Sequence, residues 1–135
     1  MNNDPIIILE MCVAGRGTLL AGAIITPGCL VERNVNGDLI PHQFAGGPAQ
    51  RMLALSSSQP YKNYSIGETV TYKVCRSGDQ MYGFLADGEN VIIGDYLCSA
   101  GNGVFKKVSS QDVALSLALE PCISEGDTKL KIEML

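Results

Sequence analysis

Tryptophan is absent from this 135-residue chain, and histidine occurs once. Charged residues make up 18% and aromatic residues only 6%. Each shortage excludes something. With His42 alone there is no second imidazole for the usual zinc sites, and neither His-x-Glu nor His-Glu-x-x-His occurs. No Cys-x-x-Cys spacing exists among Cys12, Cys29, Cys75, Cys98 and Cys122, and their odd number fits no closed disulfide framework. They read as reduced thiols used as small hydrophobes; the sharper alternative, an interchain disulfide or reactive thiol, has no local support. The net charge is −4, and Lys106-Lys107 is too small a basic patch to bind a phosphate backbone, so no nucleic acid is expected. Gly15-Arg16-Gly17-Thr18 matches neither glycine-rich phosphate pattern and reads as a turn between two early strands. The acidic residues are spread along the chain. Their densest run, Asp87-Gly88-Glu89-Asn90, lacks the alternating ligands of a calcium loop. No catalytic residue, metal or cofactor is expected, and His42 reads as an exposed or loop-packing histidine.

Long hydrophobic runs are also missing. Ile6-Ile7-Ile8-Leu9 stops at Glu10 with no basic residue before it, too short for a signal-peptide core. The longest uncharged stretch, residues 17–31, is broken by Thr26-Pro27-Gly28 and is too short to span a bilayer. The expectation is cytoplasmic synthesis without membrane contact. Fifteen glycines and six prolines interrupt every 3.6-residue stripe. Residues 111–119 alone allow a helical turn or two, or equally a loop and then a strand.

Strand signals fill the remainder. Thr69-Val70-Thr71-Tyr72-Lys73-Val74 alternates, with Val70, Tyr72 and Val74 on one face. Residues 128–134 alternate too, putting Leu130, Ile132 and Met134 inside. Residues 81–85 and 91–93 are short apolar runs of the buried kind. Asn36-Gly37 and Asn102-Gly103 signal type I′ turns, whose two central residues need positive φ. These signals recur in order. Gly28-x-Leu30-Val31, Asn36-Gly37, Leu53-Ala54-Leu55 and Gly67-Glu68-Thr69 are answered by Gly94-x-Tyr96-Leu97, Asn102-Gly103, Leu117-Ala118-Leu119 and Gly126-Asp127-Thr128. They read as two copies of one β unit, each unable to bury its apolar face alone; the alternative is chance recurrence of short strands and turns. The expected fold is all-β, a small compact barrel or sandwich-like domain with little helix. Residues 1–16 form an N-terminal arm or edge strand. Residues 17–135 form a single β domain with units at about 24–76 and 91–134, and residues 75–90 link the units with a hairpin of their own.

Ile25-Thr26-Pro27-Gly28, Ala45-Gly46-Gly47-Pro48-Ala49-Gln50 and the run from Val74-Cys75-Arg76-Ser77-Gly78-Asp79 through Gly83-Phe84-Leu85-Ala86-Asp87-Gly88 to Gly101-Asn102-Gly103 together carry a resemblance. Over roughly residues 20–120 the chain resembles the head decoration, or capsid cement, proteins of tailed bacteriophages. The ordering of the segments is more specific than any one motif. The resemblance implies a non-enzymatic protein on the outer surface of a phage head, whose partner is the major capsid protein and whose neighbouring capsid subunits it clamps to stabilise the expanded shell. It also implies self-association, commonly as a homotrimer, with dimers known. Related sequences often have proline where Ser77 stands and a small residue at Cys75 or Cys98, which leaves any special role of the cysteines open.

The apolar, proline-led N-terminal segment lies outside the repeat. Asn2, Asn3, Asp4, Pro5, Ile6, Ile7 and Ile8 are the expected capsid or protomer contacts, as an added strand; an ordinary edge strand of the same domain is the alternative. The competing function is a virion-associated receptor- or carbohydrate-binding β module, with Tyr61 and Tyr64 as the aromatic pair suited to it. A small β enzyme such as a nucleotide hydrolase has no phosphate loop, histidine pair or carboxylate cluster to rest on.

Overall fold

Alternating side chains set the strands, and glycine-led turns end them. The computed structural model describes residues 15–56 and 62–135. The strands of the first half are β1 (Arg16–Leu20), β2 (Leu30–Arg33), β3 (Leu39–Pro41), β4 (Met52–Ala54) and β5 (Thr69–Val74). Those of the second are β6 (Gln80–Leu85), β7 (Asn90–Val91), β8 (Tyr96–Gly101), β9 (Val104–Lys107), β10 (Ser116–Ala118), β11 (Cys122–Ile123) and β12 (Thr128–Met134). No helix occurs among the described residues, and residues 111–115 form a loop before β10.

The two halves share one topology. The first is a five-stranded sheet ordered β1-β5-β4-β2-β3; the second is a closed barrel in which β6-β12-β10-β8-β9 follow in the same order. The barrel closes through a parallel pairing of Leu85 with Phe105, and the open sheet curls toward the same closure through a parallel bridge of Ala21 with Leu39. Register is conserved between the halves pair by pair. Leu30↔Leu53 and Val31↔Met52 correspond to Tyr96↔Leu117 and Leu97↔Ser116. Ala54↔Tyr72 corresponds to Ala118↔Ile132, and Leu20↔Thr69 to Phe84↔Lys129. Outside the main sheets, the Ile25–Tyr64 bridge corresponds to the β7–β11 ribbon that pairs Val91 with Cys122. The repeat therefore extends beyond its sequence signals: it takes in β1 and β6. Residues 75–90 are not a linker, because β6 pairs with β12 and β9 as a wall of the second barrel. Arg16, Gly17 and Thr18 likewise belong to strand β1, and only Gly15 lies in a turn.

One tight-turn expectation differs as well. Asn102 and Gly103 have φ of 52° and 77°, the type I′ combination. At the matching position only Gly37 has positive φ, because the Asn34 carboxamide accepts the N–H groups of Asn36 (2.9 Å) and Asp38 (3.0 Å) and holds a wider loop.

Each half has an apolar interior, but the outer faces differ. Ile25, Val31, Leu39, Met52, Ala54, Val70 and Tyr72 fill the first. Leu85, Leu97, Phe105, Leu115, Leu130, Ile132 and Met134 fill the second, and Leu30, Leu53 and Cys75 join it from the first half. Strand β4 is buried at all three positions for this reason: Met52 and Ala54 point into their own half, and Leu53 points outward into the other. Two apolar stretches do not follow the sequence expectation. Val74 is 40% exposed at the end of β5, and Ile92 and Ile93 lie exposed in the turn after β7.

Candidate interaction surface

The polar residues that join the two halves form a buried clasp. His42 follows β3, and its Nδ1 lies 2.7 Å from Ser99 Oγ on β8. Its Nε2 lies 2.9 Å from the Pro48 carbonyl, which only accepts, so Nε2 carries a proton; with a neutral ring Ser99 O–H then donates to Nδ1. The Gly101 N–H in turn donates to Ser99 Oγ at 3.1 Å. Backbone bonds run alongside: Leu30 N–H to Gly103 O, Gly103 N–H to His42 O and Gly46 N–H to Ser99 O. A serine–histidine pair resembles a nucleophile and its base, but here no carboxylate orients the imidazole and Ser99 is 0% exposed. The chemistry this arrangement supports is fastening. Beside it, Glu32, Arg33, His42, Pro48, Ala49 and Gln50 line an open cleft of about 420 Å³. Glu32 accepts the Gln43 N–H there, and Arg33 donates to Gln50 and to the Tyr72 hydroxyl.

Three buried thiols, Cys29, Cys75 and Cys98, are not reactive groups. Cys29, Cys75, Cys98 and Cys122 are unbridged. Burial pushes the first three up to about 11, so they stay neutral and weakly nucleophilic near neutral pH. Asp79 and Asp112 are shifted the other way. The N–H of Arg76 and that of Ser109, respectively, lower them first, with Lys73 and Lys106 adding to the effect. Among the described residues no group of three or more His, Cys, Asp or Glu side chains gathers to hold a metal, and no helix is long and apolar enough to cross a membrane.

Asn2, Asn3, Asp4, Pro5, Ile6, Ile7 and Ile8 lie outside the described residues, as does Tyr61. Tyr64 does not form half of an aromatic platform. It is 5% exposed, part of the first apolar interior, and donates its hydroxyl to Leu55 O at 2.6 Å. A tyrosine with a satisfied hydroxyl on a bridge to Ile25 is a packing residue. Exposed isoleucines lie elsewhere, near the corresponding bridge and ribbon of the two halves though not at matching positions: Ile24 and Ile66 flank the Ile25–Tyr64 bridge, Ile92 and Ile93 follow β7, and Ile123 is in β11. Tyr96 is 54% exposed where its counterpart Leu30 is fully buried. Sequence alternation alone misses these positions, because an apolar residue on the outer face reads the same whether a neighbour covers it or not.

Fold and surface together define a curled five-stranded sheet and a closed barrel of matching topology, fastened to each other by a buried polar clasp and carrying exposed isoleucines in both halves. No protein-family model matches the chain, and no curated protein matches it. Among solved structures it is similar to the crystal structure of the head fiber gp8.5 N base in bacteriophage phi29. The TM-score is 0.63 over 89% of this chain and 92% of that one, at 10% sequence identity. At that identity the likeness is one of fold.

Proposed function

We propose that this chain is a non-enzymatic structural protein of a phage head that decorates the outer capsid surface and binds the major capsid protein. The observation that carries the reading is the likeness in fold, across nearly the whole of both chains, to a phage head fiber base. The sequence resemblance to decoration proteins points to the same place in the virion. A decoration protein needs rigidity and adhesion. Ladders that close or nearly close leave few free edges, which supplies the first. Exposed isoleucines in both halves suit the second, since weak contacts repeated over a lattice add through avidity. Clamping of adjacent capsid subunits follows if the two ends reach two subunits.

Co-sedimentation with purified heads tests the reading. Saturation at a fixed, lattice-like ratio to the major head protein is the expected result, with higher heat resistance of the loaded heads. Loss of binding in Ile92→Asp and Ile123→Asp variants would place the contact on the β7–β11 end. Binding of a few copies at one vertex, or none, overturns the decoration reading.

A further inference from the structure

The contact between the two halves has an unused counterpart on each side. In the first half, the outer face of β2 and β4 carries Leu30 and Leu53, with Cys75 beside them, all buried against the second barrel. That barrel covers the face with β6 and the β8–β9 hairpin. A Cβ on Gly28 would meet the Phe84 ring at 3.0 Å, Cys75 Sγ lies 3.6 Å from Met81 Sδ, and Gly103 seats on Cys29 and Leu30. The repeat supplies both surfaces again. The counterpart of the covered face, on β8 and β10, carries Gly94, Tyr96 and Leu117. It is open: Tyr96 is 54% exposed, and a Cβ on Gly94 would meet nothing within 4 Å. The counterpart of the covering surface, on β1 and the β2–β3 hairpin, carries Leu20 in place of Phe84 and Val35-Asn36-Gly37 in place of Gly101-Asn102-Gly103. It is open too: Leu20 is half-exposed, Val35 fully exposed, and Gly37 has nothing within 4 Å.

We propose that the open β8–β10 face of one copy docks onto the β1 and β2–β3 surface of a second copy of this chain, head to tail, repeating the contact between the halves. Charge supports the match. Across the internal contact Lys73 pairs with Asp79 at 3.5 Å. On the open faces Glu133 stands where Lys73 does, and exposed Arg16 flanks Gly15, the counterpart of Asp79, so the signs are exchanged but remain opposite. The second contact is shallower than the first. Tyr72 lies over Gly17 in the mouth of the first half, its hydroxyl accepting from Arg33, where the second barrel admits Leu30 and Leu53. Such a contact suits an assembly of separately folded chains. Being heterologous, it forms a ring if its rotation closes.

The test is complementation, read by native mass spectrometry and light scattering on the full chain at about 100 µM, a concentration that detects a micromolar contact. The wild type is expected as a discrete oligomer. Tyr96→Asp and Leu20→Asp each spoil one face at an exposed position, so each alone is expected as a folded monomer. An equimolar mixture keeps one intact face of each kind and is expected as a one-to-one dimer, twice the monomer mass. A monomeric wild type, an unchanged oligomer in either variant, or a mixture that stays monomeric overturns the proposal.

Discussion

Replacing Gly103 with alanine, beside the same change at Gly37, measures how firmly the second hairpin rests on the first half. The two glycines occupy equivalent turns with φ of 77° and 83°, so the backbone strain of a Cβ is nearly the same at both, about 1–2 kcal/mol. Their neighbours differ. At Gly37 the new methyl meets nothing within 4 Å, whereas at Gly103 it would lie 2.0 Å from Cys29 Sγ, 3.0 Å from Leu30 O and 3.2 Å from Pro41 Cβ. The backbone cannot yield easily there, since Leu30 donates to Gly103 and accepts from His42, both at 2.9 Å. Overpacking of that kind costs about 1–3 kcal/mol. The expected losses are thus about 1–2 kcal/mol for Gly37→Ala and about 2–5 kcal/mol for Gly103→Ala. Urea unfolding followed by circular dichroism gives both values. Adding Cys29→Ala removes the closest atom, so the double variant should be less destabilised than the sum by about 1 kcal/mol. Equal losses at the two glycines, or strict additivity with Cys29→Ala, would refute the seating of the hairpin on Cys29.

Thiol accessibility follows from burial. In a Cys12→Ser background, Ellman's reagent at pH 7.5 should label Cys122 in the native protein and reach Cys29, Cys75 and Cys98 only on unfolding. Because burial raises those three from an ordinary value of 9.0 to about 11, the stability they contribute is intact below pH 9 and is lost as pH rises toward 11; a flat stability profile over that range contradicts their burial. The depressed carboxyls act at the other end. Asp79 and Asp112 contribute stability above the ordinary carboxylate range that is lost as pH falls through their lowered values, so Asp79→Asn and Asp112→Asn should flatten the fall in Tm below about pH 4. Leu53→Ala should cost about 2–5 kcal/mol because Leu53 is fully buried between the halves, while Leu117→Ala at the equivalent half-buried position should cost clearly less. Residues 76–135 expressed alone should lack a cooperative unfolding transition, since Leu30, Leu53 and Cys75 are part of that barrel's interior; a sharp transition in the fragment would show that the second barrel is self-sufficient.

Much of the strand pattern was legible because solvent faces one side of most strands. Leu130, Ile132 and Met134 alternate with charged neighbours on β12, and that pattern has one structural solution. The two Asn-Gly turns made the repeat visible. They did not reveal its extent: β1 carries Gly17 inside the strand and so reads as a turn, and residues 81–85, a strand signal around Gly83, read as part of a linking hairpin and not as a wall of the second barrel. Both glycines sit where a ring from the same barrel crosses: Tyr72 over Gly17, Phe105 over Gly83. What glycine signals locally as a break is here room for a distant aromatic, a long-range fact that no local pattern encodes. Tyr64 was misleading for a related reason. It follows a serine- and proline-rich stretch, yet its bridge to Ile25 spans most of the first half. The buried pairing of His42 with Ser99 is equally remote in sequence.

The outer faces of the two halves differ in what covers them. Two halves with the same register need not share an interior; each can bury its own inward side chains. Their equivalent outer positions have nevertheless diverged. Leu30 and Leu53 are fully buried and merge with the neighbouring barrel, whereas Tyr96 and Leu117 keep exposed apolar surface. Divergence toward uniformly polar outer residues would be enough to keep a fused pair soluble, and the second half has not taken that course. Sharing an interior locks the halves at a fixed angle. The exposed isoleucines, Ile24 and Ile66 in one half and Ile92, Ile93 and Ile123 in the other, are then held at a fixed spacing. A rigid pair of apolar ends reads a repeating surface better than two ends on a flexible tether, because no orientational entropy is lost when the second end engages. The His42–Ser99 clasp belongs to the same logic. A buried polar link leaves unpaired groups in any misdocked arrangement of the halves, so it specifies one angle more sharply than apolar contact alone.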